Sequence, residues 1–201
     1  MVSSTTLVDL LRHGEPEGGD RFRGLRDDPL SDVGWRQMRR AVSGQHWDLL
    51  VTSDLRRCQA FARELSRRRS IPLEVDPRLR ERDFGAWEGL RPEAVADREA
   101  LQASYDDPVG HGPPGGEPAA TMIERVEAAF ADWLLRARGG RLLLVCHSGV
   151  IRVLIAGTLG IGLGHVMRGV QVPYACRTRL RIDHDDDRQL RCLSAHGTFD
   201  G

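Results

Sequence analysis

Three short clusters in this sequence carry residue types that together can bind an anion. Arg12-His13-Gly14-Glu15 ends the first apolar stretch, Ser53-Asp54-Leu55-Arg56-Arg57 ends the second, and His147-Ser148-Gly149 follows the apolar run RLLLVC. Each sits where a strand-like segment gives way to a turn or to a helix-like segment, and in open α/β sheets ligands bind beyond the carboxyl ends of the strands. Two histidines and two or three arginines would then meet beside the backbone N–H groups of helix N-termini, an anion site of guanidinium forks and helix dipoles. All 29 basic residues are arginine and none is lysine, so any cationic side-chain contact to a phosphate or carboxylate is made with a planar guanidinium.

Stepping outward, strands and helices alternate along most of the chain. The pattern predicts a buried strand over 5–12, then a Gly-rich turn over 13–19. A helix capped by Ser31 follows to about Val42, with Val33, Met38, Ala41 and Val42 on one face. A second strand spans 48–52, a helix 55–68 and a short strand 72–75. The strand at 141–146 leads into a helix over 149–158, and 174–182 and 189–195 alternate as an antiparallel pair around the polar turn 184–188. Between them lie a polar helix over 91–105, a loop over 106–118 and an amphipathic helix over 119–138 that buries Met122, Val126, Phe130, Trp133 and Leu134. The expected architecture is a single α/β domain over 1–201, a three-layer α/β/α sandwich with a mostly parallel central sheet and a mostly helical excursion at about 90–138.

Composition narrows the partners. The 201 residues carry 29 basic and 29 acidic side chains, a formal net charge of zero that disfavours a general nucleic-acid or membrane-surface binder. No apolar run reaches the ~20 residues of a membrane span. The start lacks the pattern of a secretory leader, so a cytoplasmic location is expected. Cys58, Cys146, Cys176 and Cys192 form no CxxC pair, and neither a zinc site nor a disulfide framework is expected. The aspartates at 185–187 read as a solvated hairpin tip, and His46, His111, His165, His184 and His196 read as solvated side chains.

In order along the chain, LLRHGEP, GLRDDPLSDVG, TSDLRRCQAFA, RLRERDFGAWEG, PPGGEP and VCHSGVIR resemble the motifs of the histidine phosphatase superfamily, the phosphoglycerate-mutase-like group. The resemblance runs from Leu10 to about Ile155. It implies that His13 is a nucleophile taking a phosphoryl group onto a ring nitrogen, and that Arg12, Arg57 and His147 hold the non-bridging oxygens. It makes Glu81 the proton donor to the leaving group, a role helped by partial burial, with Arg80 and Arg82 pointing away from it. Arg57 is preferred to Arg56, and Glu81 to Glu88, whose Trp87-Glu88-Gly89 reads as a structural turn. Arg21, Arg23, Arg26 and Ser148 are candidates for contacts beyond the phosphate. Glu117 is read equally as facing the site or capping the following helix.

Among members of that group the pattern is most similar to α-ribazole-5'-phosphate phosphatases of cobalamin assembly. A phosphomonoesterase of broad specificity toward sugar phosphates or nucleotides is the alternative. A mutase is disfavoured by chain length and by the absence of a further arginine-rich motif after Gly89, and a noncatalytic binding module by the retained nucleophile and proton donor. Cys146-His147-Ser148-Gly149-Val150-Ile151-Arg152 also fits C-x5-R, the loop in which a thiolate attacks phosphate, but that reading leaves Arg12, His13, Arg57 and Glu81 without a role. No metal and no cofactor are expected. The partner is a small phosphorylated substrate, with a homodimer left open.

Overall fold

A computed structural model describes residues 4–185 and 189–198 of the chain. Its sheet has six strands in the order β3-β2-β4-β1-β5-β6. β1 (Ser4–Arg12), β2 (Leu49–Thr52), β3 (Leu73–Val75) and β4 (Arg141–Cys146) run parallel, and β5 (Arg177–His184) and β6 (Gln189–Gly197) add an antiparallel hairpin beside β1. The α/β sandwich read from the sequence is therefore present, with a mixed sheet.

Side chains alternate across the parallel strands because the strand period is two. Val8, Leu10, Val51, Leu142, Leu144 and Cys146 enter one core with α4 (Ala119–Arg136), α5 (Ser148–Leu159) and α6 (Leu163–Gly169). Leu11, Leu50, Leu143 and Val145 enter the other with α1 (Asp32–Ala41) and α2 (Arg56–Arg69). The apolar face expected for 119–138 belongs to the first core, so this helix is a layer of the sandwich rather than a cap. The one acid in the apolar β1, Asp9, is buried and satisfied by Trp47 Nε1 at 2.8 Å and by two 2.8 Å bonds from Arg179.

Several elements differ from the sequence reading. Val33 is 40% exposed instead of joining the apolar face of α1. Segment 91–105 divides into a 3-10 turn, Pro92–Ala94, and α3 (Arg98–Asp106), because the Asp97 side chain accepts from Ala100 N and starts a new helix. α6 is a further short helix whose glycines hide it from propensity. β5 starts at Arg177 rather than 174, since residues 173–176 form a turn. His184 is buried and bonded to Thr6 Oγ1 at 2.8 Å, and His196 is bonded to Thr178 Oγ1 at 2.7 Å, so neither is a simple solvated side chain. Of the aspartates at 185–187, Asp186 and Asp187 lie outside the described residues. No helix among the described residues is long and apolar enough to cross a membrane.

Strand register brings the three clusters together. Arg12 pairs with Cys146 and Thr52 with Val145, so β1, β4 and β2 end level with one another. The backbone N of His13 then donates to Cys146 O and that of Ser53 to Val145 O, both at 3.0 Å. Beyond His13 the chain crosses α1 at backbone contact: a Cβ on Gly14 would strike the Gly34 carbonyl, and one on Gly34 would strike the Glu15 carbonyl. Gly34 thus costs helix propensity of about 1 kcal/mol but permits the turn that carries His13. Gly34→Ala is expected to push α1 off this turn, destabilising the fold by about 1–3 kcal/mol in denaturant unfolding and lowering activity at the site. Unchanged stability and activity would show that the contact is dispensable.

Candidate active site

His13 leaves the end of β1 with its Nδ1 2.8 Å from the Gly14 carbonyl oxygen. A carbonyl only accepts, so Nδ1 carries the proton and Nε2 keeps the lone pair. The ring is 5% exposed, and its centroid lies 5.2 Å from that of His147 in an edge-on arrangement. Burial, then the positive charges of Arg57 and Arg12, hold the pKa of His13 well below 6.5. The same causes act on His147, which burial, Arg57 and His13 keep neutral and whose Nε2 lies 3.0 Å from Ser53 Oγ.

Both arginines are anchored through backbone carbonyls. Arg57, fully buried on α2, donates to Arg26 O and Gly24 O, each at 2.7 Å, while Arg56 beside it is exposed. Arg12 donates to Val172 O at 2.6 Å and stacks over the Tyr174 ring at 4.1 Å. The Nε atoms of both guanidiniums are buried without a hydrogen-bond partner, and no carboxylate among the described residues forms an ion pair with either. Such donors suit an anion. Glu88 completes the frame by accepting from the backbone N–H groups of Gly24, Leu25, Arg26 and Phe84, which agrees with its reading as structural.

Glu81 is 6% exposed and sits at the N-terminus of α5. Its Oε2 accepts from Gly149 N at 3.1 Å and Ser148 Oγ at 3.2 Å, and its Oε1 from Arg82 N at 2.9 Å. A side chain on Gly149 would collide with this carboxylate, so the glycine of HSG makes room for the acid. The neighbouring arginines turn away, Arg80 to Asp54 and Arg82 to the carbonyls of Glu117 and Pro108. Glu117 fills neither role suggested by its position. It binds Arg125 through both oxygens, and Arg125 also donates to the carbonyls of Arg78, Arg80 and Glu81, fixing the strip that carries the acid.

These groups border one cleft of about 130 Å³, lined by Arg12, His13, Glu81 and Ser148 together with Asp20, Arg21, Phe22, Arg23, Phe84 and Tyr174. Arg57 and His147 are fully buried and are not among its lining residues. Arg23 donates to Asp28, Glu17 O and Gly19 O, and Arg21 donates to Gly18 O while its Nε stays buried without a partner, so both brace the turn at the cleft mouth; Arg26 pairs with Asp28. Cys146 is buried at the end of β4, where desolvation and nearby Cys58 push its thiol well above 9.0, the reverse of what an attacking thiolate needs. Arg152 is turned to Val170 O. Sequence reasoning did not find Tyr174, Phe22 or Phe84, because an aromatic wall assembled from remote segments has no local spacing. No group of three or more His, Cys, Asp or Glu side chains among the described residues is arranged to hold a metal ion.

Comparison with known proteins places the chain in a family. Glucosyl-3-phosphoglycerate phosphatase of Mycolicibacterium vanbaalenii is 32% identical over 165 residues, covering 76% of this chain and 73% of that protein. The solved structure of a mycobacterial glucosyl-3-phosphoglycerate phosphatase with VO3 superposes with a TM-score of 0.81 at 28% identity, covering 94% of this chain and 97% of that one. The α-ribazole phosphatase of Shigella flexneri superposes with a TM-score of 0.78 at 28% identity, covering 94% and 96%. With residues 8–194 matching the family as a whole, this is a phosphatase-family protein: the chain belongs to the histidine phosphatase superfamily, branch 1.

Proposed function

We propose that the protein hydrolyses phosphomonoesters of small metabolites through a phosphohistidine on His13, without a metal ion. The observation that carries this reading is a buried, neutral His13 with Nδ1 fixed by Gly14 O, in one cleft with Arg12 and the carboxyl group of Glu81, which enters the first step as the acid. In the first step His13 Nε2 attacks phosphorus, and the bond to the leaving oxygen breaks as Glu81 delivers a proton to it. In the second, Glu81 takes a proton from water, the water oxygen attacks phosphorus, and the P–N bond breaks to release phosphate and neutral His13. Arg12, Arg57 and His147 hold the non-bridging oxygens, over which charge spreads in a loose transition state.

α-Ribazole 5'-phosphate is the substrate favoured by the sequence motifs. Relatives are named for that substrate class and for glucosyl-3-phosphoglycerate, and both names describe a phosphate ester. The proposal for this chain is therefore the ester class. A panel of the two compounds, sugar phosphates and nucleotides ranks the leaving groups.

The direct test is a quenched reaction with p-nitrophenyl phosphate. Wild type should retain an acid-labile, alkali-stable phosphoryl group on His13, be inhibited by vanadate and keep its rate in EDTA. His13→Ala should lose activity by at least about 10³-fold, whereas Cys146→Ser should keep most of it. Labelling of Cys146, loss of activity in EDTA, or rapid conversion of 3-phosphoglycerate to 2-phosphoglycerate would each overturn the reading. Arg57→Lys keeps the charge but loses the fork that spans Gly24 O and Arg26 O, and should lower kcat/KM about 10²-fold in an otherwise folded protein.

Neutral histidines also set the acid limit of the fold. Both His13 and His147 have pKa values held below 6.5, so the unfolded chain binds protons that the native state does not. Their stabilisation is complete above about pH 6.5 and is lost as pH falls, with a slope of up to about 1.4 kcal/mol per pH unit for each. Urea unfolding between pH 7.5 and 5 should show this fall, and His147→Asn should reduce it. Stability flat across that range would refute the shifts.

A further inference from the structure

The turn that precedes β5 holds an aromatic residue against the phosphate-facing arginine. Residues 173–176 close on a 3.0 Å bond from Cys176 N to Pro173 O, and Ala175, third in the turn, has φ +55. A non-glycine residue there is strained. Two further bonds tie the turn to the nucleophile's segment: Ala175 N donates to His13 O at 3.1 Å, and Arg12 N to Cys176 O at 3.0 Å. Ala175 is itself buried, its Cβ in the core beside α1, which fixes the turn from behind.

This geometry leaves the Tyr174 ring with one substantial partner. The Arg12 guanidinium carbon stands 4.1 Å from its centroid, and the His13 ring centroid 5.8 Å away. Tyr174 borders both the 130 Å³ cleft and a larger groove of about 400 Å³ along α1, whose other walls include Gln37, Arg40 and Ala41. Its ring therefore stands between Arg12 and the water of that groove. With Nη1 on Val172 O and one face covered by the ring, the guanidinium is fixed in plane, and the buried Nε is a donor that no protein group uses.

We propose that Tyr174 is a positioning residue. Its ring face, rather than its hydroxyl, holds the Arg12 guanidinium in plane and out of water, so that Arg12 meets the phosphoryl oxygens already oriented. The inference rests on the reading of Arg12 as a phosphate-holding group. It identifies a residue acting through Arg12 and leaves the bond-making steps as described above.

The test compares Tyr174→Leu, Tyr174→Met and Tyr174→Phe by rapid quench with p-nitrophenyl phosphate, together with the inhibition constant for vanadate and the melting temperature. Leu and Met should slow formation of phospho-His13 about tenfold and weaken vanadate inhibition by a similar factor, and Phe should rescue both. A folded Leu or Met variant with wild-type phosphorylation and vanadate inhibition overturns the inference, as does a Phe variant as impaired as Leu. If Leu fails to melt cooperatively, the Met variant decides. The two readings fail differently: absence of phospho-His13 in wild type defeats the proposed function, whereas its normal appearance in both wild type and Tyr174→Met defeats only the role of Tyr174.

Discussion

Two guanidiniums, that of Arg57 fully buried and that of Arg12 half-buried, stand at the carboxyl edge of the sheet without a carboxylate among the described residues in ion-pair contact. Taking an ion out of water costs several kcal/mol even after relaxation, and an ion pair would be the usual remedy. Here backbone carbonyls supply part of it, from Gly24 and Arg26 for one and Val172 for the other. The loops providing those carbonyls must consequently be rigid, and much of the local structure serves that need. Glu88 gathers four backbone N–H groups around the 24–26 loop, and Gly24 is glycine because a Cβ would strike Arg82 O and the Glu88 carboxylate.

The same unpaired positive charge sets the chemistry of the histidines. Near Arg57 and Arg12 a third cation is disfavoured, so His13 stays neutral with a lone pair on Nε2, and His147 stays neutral beside it. Glu81 is kept close but separate, secured by the α5 N-terminus and the Arg82 amide rather than by either guanidinium. Were it paired directly with Arg57 or Arg12, it would compete with a phosphoryl group for their donors. The Glu117–Arg125 pair reaches this acid only through the backbone carbonyls of residues 78, 80 and 81, fixing its position from outside the cleft.

Much of this was legible in the sequence, for physical reasons. Buried parallel strands are continuous apolar runs, and their ends mark the edge of the sheet, so RHG, SDLRR and CHSG by themselves indicate that His13, Arg57 and His147 converge. The alternation of polar and apolar residues also recovered α4 and the β5–β6 hairpin. What escaped depends on contacts between remote segments. Glu117 turned to Arg125, His184 found Thr6, and Tyr174, which looked like the start of a strand, entered a turn over Arg12. Val33 shows the limit of periodicity within one helix: its spacing fits the apolar face, but that end of α1 lies at the solvent rim beside a groove.

A sequence of zero net charge can therefore house an anion site, because the quantity that matters is charge unpaired within the cleft rather than the sum over the chain. No carboxylate among the described residues is paired with either guanidinium, although Glu81 lies close enough to act on both. Lysine could supply the charge but not the planar anchoring by which Arg57 bonds to the carbonyls of both Gly24 and Arg26. Local charge and the fixed plane of the donors are thus both properties of this edge of the sheet, and a general rise in basicity elsewhere on the surface would add neither.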